Sequence, residues 1–352
     1  MTGKKINHIM IVLARESRGI TQAQLAKLAN VSQGKISKIE HGLQNASMEI
    51  ISKLENVLNY PKEFFYESGQ IFPPKAFCTR KRSSLSQKHH YKITALLNIY
   101  RMHIQKLLRS AELNVNVPNF DLDEFEENPK KIASAVRHYW QMPCGPVENV
   151  TKIIEDAGIF IIHCEFGTSL IDGLSINQKD SPPIIFVNKE IPGDRLRFTL
   201  SHELGHIIMH RFPTPTMEDE ANSFASEFLM PAKEIKSSLT RLSLEKLASL
   251  KPYWKVSMAS LLMQASDLNK INERQKRYLW MQMGKLGYRR REPEELDIPI
   301  EKSSLIDEII SLHIDELGYN IQDLSKSLTL FQDEFRAKYL NQTNHLRLLR
   351  SG

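Results

Sequence analysis

The sequence predicts a mainly α-helical chain with one small β-sheet, an α+β arrangement, on three observations. Apolar residues recur at helical spacing through most of the 352 residues. Two short runs, IFIIHCEF (159–166) and PIIFVNKEI (183–191), break that period and are rich in the β-branched and aromatic residues that strands favour. The length calls for about two or three units, each able to bury its own core.

Residues 6 to 67 read as a five-helix bundle, the core of a first domain placed at 1–69. In ITQAQLAKLANVSQGKISKIEHG, Leu25, Leu28 and Ala29 form an apolar stripe behind Thr21, a fitting N-cap. After the turn NVS, Ser32 caps a second helix. Ile36 and Ile39 face inward there, Gln33, Lys35, Ser37 and Lys38 face out, and Gly42 stops it. MEIISKLENVLNY and PKEFF complete the bundle. Residues 70–129 read as a basic linker, FPPKAFCTRKRSSLSQKHHYK, followed by a connecting helix. Within 130–239, NPKKIASAVRHYWQMPCGPVENVTKIIEDAG gives two helices broken at Pro143 to Pro146. The two strands come next, joined by a turn-like IDGLSINQKDSPP. Residues 240–352 read as a C-terminal helical domain. Its amphipathic SLIDEIISLHI would pack on the preceding domain or on a second copy of the chain.

Composition excludes several classes. With 41% apolar and 25% charged residues and no run of 18 apolar positions, no segment is expected to span a membrane. Cys78, Cys144 and Cys164 are odd in number and widely separated, which points to a reducing compartment. The N-terminus lacks a signal-peptide pattern, and together these read as cytoplasmic. The net charge of +6 is unevenly spread: residues 70 to 110 hold nine Lys or Arg and no acid. Basic groups directly after a candidate DNA-binding head would serve phosphate contacts or simply form a solvated face.

The chemistry concentrates in RFTLSHELGHIIMHR (197–211). On a helix, His202 and His206 stand one turn apart on one face and can offer ring nitrogens to one ion. Zinc takes nitrogen and oxygen ligands tetrahedrally at about 2.0–2.2 Å, and a catalytic site keeps its fourth position for water. Glu203, rotated about 100° round the helix, falls beside that water and is the general base. Zinc lowers the pKa of bound water to about 7, and the carboxylate accepts the proton as a carbonyl is attacked. A third ligand is needed. His210 lies on the same helix, where three consecutive turns cannot converge on one tetrahedral centre. EDEANSFASEFLMP, with Ala221, Phe224, Ala225 and Phe228 as its core stripe, brings Glu218 in on a second helix, and Asn222 would orient a ligand. Glu220, two residues on, competes with Glu218. Two histidines and a carboxylate also accept Mn2+ or Fe2+.

NKEIPGDRLRFTLSHELGHIIMH followed by EDEANSFASEFLMPA resembles the ImmA/IrrE family of zinc metallopeptidases over about residues 130 to 235. The resemblance implies a zincin-like core: His202 and His206 match the histidine ligands, Glu203 the catalytic glutamate, Glu218 the third ligand and Asn222 the supporting Asn/Asp. The head resembles the XRE-type helix-turn-helix over about residues 8 to 67. By that likeness Gln33, Lys35 and Ser37 or Lys38 would reach base edges, and Gln22 a phosphate. Gly34 stands where such proteins often carry a contacting side chain.

The resemblance implies a regulator that binds double-stranded operator DNA, expected as a homodimer on two half-sites. Its zinc endopeptidase would cut a helix-turn-helix repressor or antitoxin, or the chain's own stretch from Ile71 to Gln87. Two alternatives remain: a regulator whose peptidase fold is a sensor or dimerisation platform without turnover, and a toxin–antitoxin or phage-defence protease.

Overall fold

A computed structural model describes residues 5–72, 86–178 and 181–340. In chain order the elements are α1 (His8–Ser17), α2 (Gln22–Leu28), α3 (Gln33–Glu40), α4 (Met48–Leu58), a 3-10 turn (Lys62–Tyr66) and α5 (Gln87–Leu107). Then come α6 (Pro129–Tyr139), α7 (Val150–Asp156), β1 (Phe160–Cys164), β2 (Gly173–Gln178), β3 (Ser181–Asn188), α8 (Gly193–Met209), α9 (Met217–Leu229) and α10 (Ala232–Ile235). The rest is helical: α11 (Leu244–Trp254), α12 (Met258–Asp267), α13 (Glu273–Lys285), α14 (Leu305–Asp315), α15 (Ile321–Ser327) and α16 (Gln332–Tyr339). The fold is mainly α with one three-stranded sheet. Among the described residues no helix is long and apolar enough to cross a membrane.

The caps read from the sequence are present. Thr21 accepts from the Gln24 amide while the Gln24 side chain returns to the Thr21 amide, and Ser32 accepts from Lys35. Gly42 takes φ +70° just past α3. Leu28 departs from the expected stripe. It is 61% exposed, because so short a helix turns only Leu25, Ala26 and the capping Ala29 inward. Ser86 caps α5 inside the stretch read as linker, accepting from the His89 amide. The helix therefore starts at Gln87, and residues 73–85 lie outside the described ones.

The chain forms two compact units. Among the described residues, one takes 5–72, 86–113 and 304–340, the other 114–178 and 181–303. This division cuts through the expected 240–352 domain and draws the connecting helix into the first unit. In that unit α1 packs on α5, and Arg18 donates to both oxygens of Glu334 (2.9 and 3.0 Å). Buried His103 of α5 meets the Tyr339 hydroxyl at 2.6 Å. α14, which belongs to this unit, buries Leu305, Ile306, Ile309 and Ile310.

In the second unit the sheet order is β1-β3-β2, with β1 parallel and β2 antiparallel to β3. β2 is a strand inside the segment read as a turn. Its Leu174 and Ile176 are buried and alternate with polar residues, a period-two pattern too short to stand out between Gly173 and the prolines. Pro182 and Pro183 precede the β1 register, which begins at Ile184, so they remove no hydrogen bond from that pairing. α8 crosses beside β2 and β3. Leu200, Leu204 and Ile208 of α8, Phe224 and Phe228 of α9, and Leu247, Leu261, Leu262 and Met283 beyond residue 240 share one core. Each such side chain contributes about 1.5–3 kcal/mol by burial, which is why 240–303 joins this unit.

Two buried polar networks fix α8 in place. Arg197, fully buried, donates to the carbonyls of Val147 and Lys255 and to Glu301. Lys251 on α11 holds Asp194, in the first turn of α8, and Glu292, each at 2.6 Å. Burial alone would lower the Lys251 pKa, but the two carboxylates outweigh it and raise it above the usual lysine value. Replacing Lys251 by Met leaves both acids buried without their cation, at an expected cost of about 3–5 kcal/mol. Urea unfolding of the full chain measures it, and a loss below about 1 kcal/mol would contradict a buried pair.

Candidate metal centre and active site

α8 buries Leu200, Leu204, Ile207 and Ile208 on its core side and turns His202 and His206 toward α9. The Nε2 atoms of the two rings stand 3.1 Å apart. Glu218, in the first turn of α9, brings Oε2 to 3.7 Å from His202 Nε2 and Oε1 to 3.6 Å from His206 Nε2. Among the described residues this is the one group of three His, Cys, Asp or Glu whose donor atoms lie within 4.8 Å of one another.

The donor set fits a small divalent cation. Three ligands at about 2.0–2.2 Å round a tetrahedral ion stand about 3.3–3.6 Å from each other, close to the separations here. At His202, Nδ1 lies 3.0 Å from Asn222 Oδ1. An amide oxygen only accepts, so Nδ1 carries the hydrogen and Nε2 presents its lone pair. His206 is held well below the ordinary histidine pKa, at about 3, by burial first and then by His202 and His210, with Glu218 opposing. Its ring is therefore neutral near pH 7, as a ligand must be.

Glu218 and Glu220 part company in space. Glu220 accepts from His210 at 2.8 Å, and His210 ends α8 with its backbone already extended (φ −110°, ψ 101°). Glu203 is buried, and its Oε2 accepts from Ser175 Oγ at 2.7 Å. Its carboxylate borders a cavity of about 130 Å³ shared with His202, Glu218 and Asn222 and lined also by Gly173, Arg195, Phe198 and Thr199. Ser175 and Gly173 were missed by sequence reasoning, and the signal that could have found them is the alternation of Leu174 and Ile176 on β2. A Cβ at Gly173 would stand 2.5 Å from Thr199 Cγ2 and 3.3 Å from Glu203 Cγ, so glycine is what lets β2 run this close to α8.

In the head, Gln33, Lys35 and Lys38 are exposed on the outer face of α3, and Ser37 is half-buried beside His41. The Gly34 Cβ position is open space between them. Gln22 is turned elsewhere: its amide donates to Glu40 at 2.7 Å, joining the Arg15–Glu40 ion pair. Reaching a phosphate would mean giving up that bond.

Residues 154–266 match the model of a peptidase family described as the IrrE N-terminal-like domain, and residues 11–65 match a helix-turn-helix family. No curated protein matches the sequence. The chain thus joins an N-terminal XRE-type helix-turn-helix, a DNA-binding architecture, to an ImmA/IrrE-type, peptidase-like domain. The close approach of β2 to α8 can be checked directly. Gly173→Ala is expected to cost about 1–3 kcal/mol, and adding Thr199→Ala is expected to return part of it. Unfolding of both single variants and the double closes the cycle, and strict additivity would show that the two positions do not meet.

Proposed function

We propose that the chain is a DNA-binding transcriptional regulator carrying a zinc-dependent endopeptidase that cuts a partner regulator of helix-turn-helix or antitoxin type. The observation that carries this reading is the convergence of His202 Nε2, His206 Nε2 and the Glu218 carboxylate beside a buried Glu203. The two imidazoles and Glu218 would hold the ion, with Asn222 keeping His202 in the required tautomer. When bound, zinc supplies an acidified water, with pKa lowered to about 7, and polarises the scissile carbonyl. Glu203 takes the proton from the attacking water and passes it to the departing amide nitrogen, while the Ser175 hydroxyl fixes the plane of its carboxylate through Oε2. β2 pairs with β3 on one side, and its other edge, beside the cavity, supports binding of an extended peptide as an added strand.

A partner is favoured over the chain itself as substrate. The head packs through α1 on α5 and through Arg18 on Glu334, both beyond the stretch from Ile71 to Gln87. A cut in that stretch would leave the head held by its neighbours. On DNA, α3 would enter the major groove with Gln33, Lys35 and Lys38 toward the bases, and Ser37 and Gln22 at the margins. Two copies of the chain would meet two half-sites.

Two measurements test the reading. Glu203→Gln should retain stoichiometric zinc yet lower cleavage of a co-encoded helix-turn-helix regulator by about 10²–10⁴-fold. The same fragments at the same rate would eliminate proteolysis at this site, and intact regulation by that variant would favour the sensor or platform reading. Lys35→Ala and Lys38→Ala should weaken operator binding, each lowering the salt-dependence slope by about 1 if its ammonium meets a phosphate. Unchanged affinity in both would remove α3 from the DNA interface.

A further inference from the structure

His206 is contacted on the side away from His202 by His210, which in turn meets Glu220, and the proposed mechanism gives neither of these two a role. Its Nδ1 lies 2.9 Å from Nδ1 of His210, and Nε2 of His210 lies 2.8 Å from Glu220 Oε2. The His210 side chain is 3% exposed. It sits where α8 ends, so the chain's departure from the helix lets the ring turn back onto His206 instead of continuing up the face. Glu220 comes from the first turn of α9, the turn that also carries Glu218.

Hydrogen positions in this chain of contacts follow from chemistry. An ionised carboxylate only accepts, so His210 Nε2 carries a hydrogen. With His210 neutral its other nitrogen is then an acceptor, so His210 Nδ1 receives a hydrogen bond, and among the described residues the group that meets it there is His206 Nδ1, which therefore carries the hydrogen. With its hydrogen committed to Nδ1, neutral His206 has a lone pair on Nε2, aimed at the point it shares with His202 Nε2 and Glu218. The other tautomer would place a hydrogen on Nε2, where a cation could not bind. Asn222 does the same for His202 in one step, and the second histidine needs two.

We propose that His210 and Glu220 are positioning residues that fix His206 as the Nδ1–H tautomer and so deliver its Nε2 to the metal. This rests on the metal-site reading above. It assigns Glu220 a purpose other than that of an alternative ligand. A bound cation, drawing electron density from the ring, would strengthen the Nδ1–H bond to His210, and the Glu220 carboxylate at the end of the relay would offset part of the charge. Neither residue lines the cavity beside Glu203.

The test uses full-length wild type, His210→Phe, His210→Asn and Glu220→Gln, each stripped and titrated with zinc against a chromophoric chelator. Two-bond 15N–1H spectra of the wild-type imidazoles are recorded without metal. His210→Phe and Glu220→Gln should weaken zinc binding about 10–100-fold. His210→Asn, whose amide oxygen replaces Nδ1 as acceptor, should lose less than His210→Phe. In the spectra His206 should carry its hydrogen on Nδ1 and His210 on Nε2. If His210→Phe does not fold, Glu220→Gln and the wild-type spectra decide. Wild-type zinc affinity in Glu220→Gln and every folded His210 variant, or a hydrogen on His206 Nε2, overturns the proposal. Zinc binding in Glu218→Ala as tight as in wild type overturns the metal-site reading instead.

Discussion

The candidate site exists because α8 and α9 lie close enough for side chains on both to reach one point, and Gly205 sets that closeness. A Cβ there would stand 3.1 Å from the Phe224 ring, so any larger residue pushes the two helices apart or displaces the ring. His202 and His206 flank Gly205 on one helix, and Glu218 stands six residues before Phe224 on the other. A metal site tolerates errors of only a few tenths of an ångström. The helix contact is therefore a condition of the chemistry as well as of the core.

Around that contact several polar side chains, some of them fully buried, serve orientation. Arg197 and Lys251 tie α8 to segments 50 or more residues away, which keeps the helix from sliding along its axis. Asn222, Ser175 and the His210–Glu220 pair each hold one side chain of the site from outside. All of these supports stand on or beside helices and strands and not on long loops, which is how a constellation of this size keeps its geometry. The sheet adds a third wall, since Gly173 lets an edge strand pass almost against Glu203.

Much of this was legible beforehand. The HELGH helix shows in its apolar period, and Leu200, Leu204, Ile207 and Ile208 are all buried. The core stripe of α9, Ala221, Phe224, Ala225 and Phe228, is buried as its spacing indicates. The caps at Thr21 and Ser32 follow from side chains that satisfy amides within one turn. β2 was not legible, because GLSINQ opens with glycine and carries serine and asparagine, residues that equally mark turns. Leu28 misled for the converse reason: it has the spacing of a core residue on a helix too short to bury more than one narrow stripe.

The amino-acid order by itself determined the elements whose signal lies within one or two turns: the helix faces, their caps, and two histidines set four apart with a glutamate between. Tertiary structure alone decided which of two neighbouring glutamates meets the histidines and which turns to His210. It also decided that Ser175 meets Glu203, and that Glu334, 316 positions from Arg18, closes onto the head. The reason is physical. Local spacing is imposed by backbone geometry that every helix shares, whereas a contact between distant segments depends on how whole faces pack, and no short window of sequence contains both sides of it.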